Sequence, residues 1–234
     1  MCAIESNLSE ARRGDPAGGT EAPKRHFELA LAELADALVA GKTEPICAAY
    51  LTLRRLEHGI EPGALLGRIE RALGDQAPAA ILSAFSRRHC FMCDRGTNPC
   101  HTCEGTGLVD RFRCPNCEGL GVEACMFCLS SGWSPLEDMP EELRPAVRRL
   151  RTAQLRKELD RLAALPMDRA LASARKAGPE KRRDLATWLL RLLGRVNVLG
   201  NRQAERGPLP GAEEATRRAN QLLGALRESV PTQE

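Results

Sequence analysis

Eight of the ten cysteines fall between residues 90 and 128, and all eight belong to C-x-x-C pairs. Residues 1–7 lack the basic region and apolar stretch of a secretory signal, so we expect a cytoplasmic chain whose thiols stay reduced. Clustered thiols in a reducing compartment favour metal binding over a disulfide framework. The four pairs are Cys90/Cys93, Cys100/Cys103, Cys114/Cys117 and Cys125/Cys128.

Each C-x-x-C pair presents two thiolates on one tight turn, which we call a knuckle. Two knuckles together supply the four soft ligands of a tetrahedral Zn²⁺ site, so eight cysteines predict two closed sites that hold two structural zinc ions. The consecutive C-x₂-C-x₂-C run typical of iron–sulfur clusters is absent. A thiol–disulfide redox protein is a less favoured alternative, because closed coordination suppresses the reactivity of the sulfurs. We expect His89 and His101 to be solvated neighbours rather than ligands.

Glycines follow the middle two knuckles at a fixed spacing. The segments C-H-T-C-E-G-T-G (100–107) and C-P-N-C-E-G-L-G (114–121) are complete C-x-x-C-x-G-x-G repeats. Glycine after the second cysteine permits positive φ, which turns backbone N–H groups toward the sulfurs. The last knuckle keeps only the final glycine, Gly132, and the first keeps one in a shifted place, Gly96.

Four such repeats in series resemble the cysteine-rich zinc domain of DnaJ-type co-chaperones and of the small relatives that carry this domain without a J-domain. In that family the outer two repeats share one zinc ion and the inner two share the other, on a V of hairpin-like arms. The resemblance therefore implies one site at Cys90, Cys93, Cys125 and Cys128 and a second at Cys100, Cys103, Cys114 and Cys117. Spacing alone leaves serial pairing open, in which the first knuckle pairs with the second and the third with the fourth.

The sequence on both sides of the cysteine block predicts helices. Aromatic residues make up only 3% of the chain, and Ala, Leu, Arg and Glu dominate, a composition that favours helices over an all-β fold. We therefore expect a mainly α fold, with helical N- and C-terminal regions around a small irregular or β-hairpin double-zinc module. The expected segments are a disordered leader (1–22), a helical domain (23–88), the zinc module (89–133), a helical region (134–200), a linker (201–211) and a C-terminal helix and tail (212–234).

Glycine and proline predict where several helices begin and end. Gly41 is expected to end the first helix, and Gly59 the second. The third is expected to run from Pro62 to Gly74. A later apolar stripe over 185–192 is expected to be closed by Gly194.

The net charge of the cysteine block helps to judge whether its partner is a nucleic acid. Between residues 90 and 128, three basic side chains face five acidic ones, a balance of −2; eight thiolates and two Zn²⁺ ions bring it to −6. Phosphate binding needs the opposite sign, so a nucleic-acid-binding zinc-finger regulator is the alternative function rather than the main hypothesis. A basic helix is predicted after the module, and we expect it to be mainly a solvated face. Its basic residues are Arg144, Arg148, Arg149, Arg151, Arg156, Lys157 and Arg161.

Apolar side chains around the knuckles fit protein binding better. A module built around metal in place of a hydrophobic core cannot bury all of them, so we expect some to pack on the flanking helices. Those between Cys103 and Cys114 especially are expected to present an apolar strip to a partner. Trp133 is expected to anchor the module to the helices. The apolar residues are Leu108, Val109, Phe112, Leu120, Val122, Met126, Phe127 and Leu129.

The sequence contains no open-coordination His/Glu set, nucleophile elbow or phosphate loop. No window approaches the ~18 consecutive apolar residues of a membrane span. No His-Pro-Asp tripeptide occurs, so the resemblance does not imply stimulation of a DnaK-type ATPase. We expect a non-catalytic zinc-binding protein, a chaperone-like or adaptor module whose partner is a non-native polypeptide or one dedicated protein, with no membrane partner.

Overall fold

A computed structural model describes residues 21–57, 63–200 and 209–230. The chain forms two compact units, Met1–Ala84 and Phe85–Glu234. Residues 1–20 of the expected leader and residues 201–208 of the expected linker lie outside the described residues, whereas residues 21 and 22 belong to the first helix. The described residues are mainly helical, and the cysteine-rich segment lies between helical regions, which confirms the expected fold class. No helix within these ranges is long and apolar enough to span a bilayer.

Four helices occupy the described part of the first unit, and the last of them continues into the second unit. They are α1 (Glu21–Ala40), α2 (Thr43–Leu56), α3 (Ala64–Leu73) and α4 (Gln76–Arg87). α1 and α2 pack against each other, and fully buried Leu34 and Leu53 contribute to the core. Gly41 ends α1 as predicted: it has a φ of +65°, and its N–H donates to the Ala37 carbonyl at 3.0 Å. The left-handed conformation of glycine there satisfies a carbonyl of the last helical turn.

Two predicted helix boundaries in this unit are shifted. α2 ends at Leu56, because Glu57 leaves the helical region with φ −96° and ψ 44°; Gly59 lies outside the described residues. α3 begins at Ala64 rather than Pro62, immediately after Gly63 with a φ of 97°. α3 ends before Gly74 as predicted, where the Gly74 N–H donates to the Glu70 carbonyl at 2.8 Å.

The second unit combines the cysteine-rich segment with a helical bundle. Its helices after that segment are α5 (Arg144–Ala163), α6 (Met167–Arg175), α7 (Pro179–Gly200) and α8 (Ala212–Glu228), preceded by short 3₁₀ turns at Leu136–Asp138 and Glu141–Leu143. Leucines on α5, α7 and α8 form one buried cluster, to which the cysteine-rich segment contributes Leu120, Val122 and Trp133. The cysteine-rich segment and the helices therefore share a hydrophobic core.

The prediction that Gly194 closes a helix is wrong. α7 continues through Gly194 to Gly200. A Cβ at Gly194 would overlap the Leu129 carbonyl oxygen and lie 2.5 Å from the Ser130 carbonyl carbon. Glycine is needed at this position because the last knuckle lies directly on the helix backbone, and helix termination plays no part.

Four short strands form two antiparallel pairs inside the cysteine-rich segment. β1 (Thr97–Pro99) pairs with β4 (Val122–Ala124), with Asn98 opposite Glu123. β2 (Leu108–Val109) pairs with β3 (Phe112–Arg113). The β2–β3 turn places Asp110 and Arg111 at φ 49° and 73°, as a two-residue hairpin loop of type I′ requires. The β2–β3 hairpin is thus nested inside the loop that β1 and β4 close.

Candidate metal centres

The inner group of cysteines has the geometry of a tetrahedral metal site. The four Sγ atoms lie within 4.8 Å of one another, and all four residues are buried. The Cys100 and Cys114 sulfurs are 3.8 Å apart, and those of Cys103 and Cys117 are 3.7 Å apart. Two sulfurs bound to one tetrahedral zinc at about 2.3 Å are separated by about 3.8 Å, so the observed spacing fits Zn²⁺.

The outer group has the same arrangement with one more accessible member. Its Sγ atoms, from Cys90, Cys93, Cys125 and Cys128, also lie within 4.8 Å of one another. The sulfurs of Cys93 and Cys128 are 3.7 Å apart. Cys93 is partly exposed, whereas the other three are buried. Four sulfurs around each centre complete a tetrahedral shell, which is the pattern of structural rather than catalytic zinc.

The grouping is nested rather than serial. β1 leads directly into the second knuckle and β4 leads into the fourth, so their antiparallel pairing fixes which knuckles meet. The first and fourth knuckles meet at one end of this two-stranded sheet, and the second and third meet at the other. The resemblance to the DnaJ-type domain implies this pairing, which spacing alone left open.

Backbone N–H groups approach the inner sulfurs, as the glycine pattern predicts. The Gly107 N–H donates to Cys103 Sγ at 3.1 Å, and the Gly121 N–H donates to Cys117 Sγ at 3.2 Å. A Cβ at Gly107 would overlap the Gly119 carbonyl oxygen. The two complete repeats therefore pack backbone to backbone, and their N–H groups moderate the negative charge of the thiolates.

Burial makes one thiol of each group, Cys117 in the inner and Cys93 in the outer, a poor acid without a cation. It raises the pKa of Cys117 to about 12, although N–H groups of Gly121 and Gly119 act in the opposite direction. Burial also raises the pKa of Cys93. Four neighbouring sulfurs cannot all be thiolates unless a positive ion offsets their mutual repulsion. The two groups are therefore chemically suited to divalent metal.

The two histidines beside the knuckles lie outside both sulfur groups. His101 Nδ1 is 2.9 Å from Glu123 Oε1, and Asn116 Nδ2 donates to the same oxygen at 2.6 Å. Asn116 Nδ2 also lies 3.5 Å from Cys100 Sγ. Hydrogen bonds from Cys100 and His101 lower the pKa of Glu123. Sequence reasoning missed this support around Cys100, because neither Asn116 nor Glu123 belongs to the repeat pattern.

Trp133 connects the last knuckle to the helices, in the position expected from the sequence. It is buried in the cluster that contains Leu155 and Leu189. The guanidinium carbon of Arg195 lies 4.2 Å from the Trp133 ring centroid, and that of Arg151 lies 5.1 Å from it. Cations at these distances over an indole ring are attracted by its π-electron density.

Arg151 does not belong to a solvated basic face. It is 1% exposed, and its guanidinium donates to the main-chain carbonyls of Phe85, Ser86 and Ser134. Burial lowers the pKa of this guanidinium, and the neighbouring Arg195 lowers it further. The helix spacing of α5 turns Arg151 inward with Leu155, which the run of arginines in the sequence conceals.

Other arginines of the C-terminal helices contact the cysteine-rich segment. Arg195 Nε donates to the Ser131 carbonyl at 3.0 Å, and Arg195 also forms an ion pair with Glu158. Arg227 pairs with Glu118 in the third knuckle at 2.5 Å. Arg182 is also buried, and burial lowers the pKa of its guanidinium. The nearby Cys117 sulfur acts in the opposite direction. Positive charge from α7 and α8 thus faces a segment whose formal charge is negative.

Exposed apolar side chains gather at the outer site. The ring centroids of Phe91 and Phe127 are 5.2 Å apart in an edge-to-face arrangement. Phe91 is 78% exposed and Met126 is 79% exposed. We call the five exposed apolar residues of the first and last knuckles the outer patch: Phe91, Met92, Met126, Phe127 and Leu129.

The segment between Cys103 and Cys114 contributes less apolar surface than expected. Leu108 and Val109 are half-buried, and Phe112 is 38% exposed. Leu120 and Val122 are buried in the helical core. The apolar surface of the module is therefore concentrated at the opposite end, where the first and last knuckles lack the complete glycine pattern.

No family model, no curated protein and no solved structure matches this sequence.

Proposed function

We propose that this protein is a non-catalytic module, stabilised by two zinc ions, that binds polypeptide through the outer patch. The single observation behind this proposal is the cluster of five exposed apolar side chains on two knuckles held at one metal centre. Zinc is favoured as the metal because both sites offer only thiolates at tetrahedral spacing.

The outer patch has the properties of a protein-binding surface. Its side chains belong to two segments far apart in sequence, and the outer cysteines hold these segments together. Two phenylalanines, two methionines and a leucine together expose on the order of 600 Å² of surface. This area lies at the upper end of the range of the largest apolar patches on monomers. Methionine and phenylalanine side chains adapt to partners of varied shape. These features support a chaperone-like or adaptor role.

The resemblance to the DnaJ-type cysteine-rich domain supports the same class of function. The nested grouping of the cysteines is the pairing found in that family, and the β2–β3 hairpin corresponds to one of its arms. We propose that the module is DnaJ-like in its metal centres and that its partner is a non-native polypeptide or one dedicated protein. No enzymatic step is proposed.

Nucleic acid is the competing class of partner. Substituting accessible arginines on α5 tests this alternative. Arg151 is buried and therefore unsuitable as a test of phosphate binding. Arg149 is exposed and Arg148 is half-buried. Reversing both charges in R148E/R149E should leave polypeptide binding unchanged. Loss of RNA or DNA binding in this variant would instead favour the nucleic-acid alternative.

Polypeptide binding can be measured with a permanently unfolded probe. We would titrate the protein into fluorescein-labelled, reduced and carboxymethylated α-lactalbumin and follow fluorescence anisotropy. The F91S/F127S variant should bind at least about tenfold more weakly, because truncating two central aromatic contacts costs ~1.4 kcal/mol or more. L29S/V39S is the matched control, since Leu29 and Val39 are 57% and 91% exposed on α1.

Metal analysis must accompany this titration. Mass spectrometry under native and acid-denaturing conditions should give two zinc ions per chain for the wild type and for both variants. Equal affinity of F91S/F127S and wild type, with two zinc ions in each, would contradict the proposal that the outer patch binds polypeptide.

A further inference from the structure

A small cavity opens beside the outer patch. Its volume is about 140 Å³. Phe127 and Leu129 of the patch line it together with residues from the following loop, α5 and α7. The main lining residues are Phe127, Leu129, Trp133, Leu136, Arg151 and Val198. The cavity is therefore continuous with the proposed polypeptide-binding surface.

The buried polar groups of this cavity already have partners. Arg151 donates to three main-chain carbonyls. The Ser134 hydroxyl donates to the His89 carbonyl at 2.6 Å, and Ser131 Oγ accepts the Trp133 backbone N–H at 3.2 Å. An entering group finds mainly apolar walls from Phe127, Trp133, Leu136 and Val198. Such a cavity favours an apolar occupant over a charged one.

The volume limits the size of the occupant. An engineered apolar cavity of about 150 Å³ in another protein holds one benzene molecule. A cavity of about 140 Å³ therefore accommodates one phenyl ring or one branched aliphatic side chain. A helix or a typical cofactor is excluded, since sites for such ligands begin at about 300 Å³.

The exposed area decides between a second copy of the chain and a short segment of a partner. Standard stable interfaces bury about 800 Å² on each side, and the outer patch offers on the order of 600 Å². A symmetric contact through this patch alone would be smaller than a standard stable interface. A short segment that inserts one side chain into the cavity matches both the area and the volume.

We infer that the cavity is an anchor pocket that accepts one large apolar side chain, Phe- or Leu-sized, from a polypeptide segment lying on the outer patch. This inference rests on the proposed function and adds a selectivity to it. Side chains buried in a pocket at the centre of a contact contribute most to binding, while the surrounding contacts mainly exclude water. The outer patch would then select segments with a bulky apolar residue.

The test fills the pocket without altering the exposed patch. Val198 lies half-buried on α7 and lines the cavity, so V198F should occupy the space meant for the ligand. Binding of the carboxymethylated α-lactalbumin probe should weaken at least about fivefold in V198F. The control V39F makes the same substitution at a position that is 91% exposed, and it should bind like the wild type.

The outcomes separate this inference from the proposed function. Weaker binding in both V198F and F91S supports both, since Phe91 does not line the cavity. Normal binding in V198F together with weaker binding in F91S overturns the pocket and leaves the proposed function intact. Normal binding in both variants overturns the proposed function and the pocket with it.

A direct measurement on the wild type keeps the inference testable if V198F fails to fold. Fluorobenzene serves as the probe, and its binding is followed by ¹⁹F NMR and by the ¹H–¹⁵N resonances of the two tryptophan indoles. Saturable binding at millimolar concentration that shifts only the Trp133 indole resonance supports the pocket. Absence of saturable binding, or a shift of Trp188 alone, overturns it.

Discussion

Ser130 occupies a backbone conformation that the complete repeats reserve for glycine. Its φ is 61°, and the equivalent residue of the second knuckle, Gly105, has a φ of 84°. A residue with a side chain is strained in this left-handed region by roughly 1–2 kcal/mol. The last knuckle therefore carries a local energetic cost that the second and third knuckles avoid.

Substituting Ser130 by glycine should stabilise the protein. We expect S130G to raise the free energy of unfolding by about 0.5–1 kcal/mol, because relief of backbone strain exceeds the added entropy of the unfolded chain. Denaturant unfolding of the zinc-loaded protein measures this. S131G is the matched control and should destabilise, since Ser131 Oγ accepts the Trp133 N–H. A less stable S130G would show that the serine side chain has a structural role.

Arg151 is the clearest case of a residue whose role the sequence conceals. The cysteines could be predicted as metal ligands because thiolates are soft ligands and the C-x-x-C spacing is typical of zinc sites. Arg151 stands in a run of arginines whose other members are exposed, such as Arg149, or half-buried, such as Arg148. Its role depends on carbonyls of Phe85, Ser86 and Ser134, which no local pattern brings together.

Replacing Arg151 by methionine should cost about 3 kcal/mol of stability. The change removes the guanidinium that donates to the carbonyls of Phe85, Ser86 and Ser134, and it removes a cation from the face of Trp133. Arg149→Met, at an exposed position on the same helix, should change stability by no more than about 0.5 kcal/mol. Chemical denaturation gives both values. Increased stability of R151M would mean that desolvation of the guanidinium outweighs its hydrogen bonds.

At the scale of elements, α7 shows how tertiary contact overrides a local signal. Glycine after a leucine stripe indicates a helix end, and Gly41 and Gly74 behave in this way. Gly194 does not, because the last knuckle lies against it and requires the missing side chain. The two uses of glycine look the same in sequence, since the neighbour that distinguishes them lies more than sixty positions away.

Gly194→Ala should destabilise the second unit by about 2 kcal/mol or more. The added methyl group would overlap backbone atoms of Leu129 and Ser130, so either the knuckle or the helix must shift. Gly224→Ala on α8 is the control: no atom lies within 4 Å of its added Cβ, and it should stabilise by up to about 1 kcal/mol. Thermal unfolding compares the two. Similar midpoints would contradict the close packing of the last knuckle on α7.

At the scale of the whole molecule, the helical class and the two sets of four thiols follow from composition and motif. The pairing of knuckles does not, because a six-residue and a ten-residue spacer permit either arrangement. The short β1–β4 pairing decides it, and strands of three residues with a central Asn98 opposite Glu123 carry little β propensity. Long-range pairing of this kind is specified by the finished site rather than by the strands themselves.

Double substitutions distinguish nested from serial metal sites. Cys103→Ser/Cys117→Ser removes two ligands from one inner site, so native mass spectrometry should still find one zinc ion per chain. Cys93→Ser/Cys103→Ser removes one ligand from each site, so no zinc ion should remain bound. Serial pairing predicts the reverse result for each variant. Cys47→Ser, at a buried cysteine outside both groups, is the control and should retain two zinc ions.

The nested arrangement of the two sites also determines the order in which they can form while the chain is being synthesised. A ribosome delivers the chain from its N-terminus, so the first knuckle emerges before any other and then waits for the fourth, its partner, to appear. At usual elongation rates this interval lasts roughly 2–6 s. The inner site, formed by the second and third knuckles, can assemble during that time. Its assembly brings the segments of β1 and β4 toward each other. Of the eight ligand cysteines, Cys90 and Cys93 are therefore the first to be synthesised and the last to be enclosed. A newly made chain is thus most vulnerable to oxidation or to the wrong metal at this first pair.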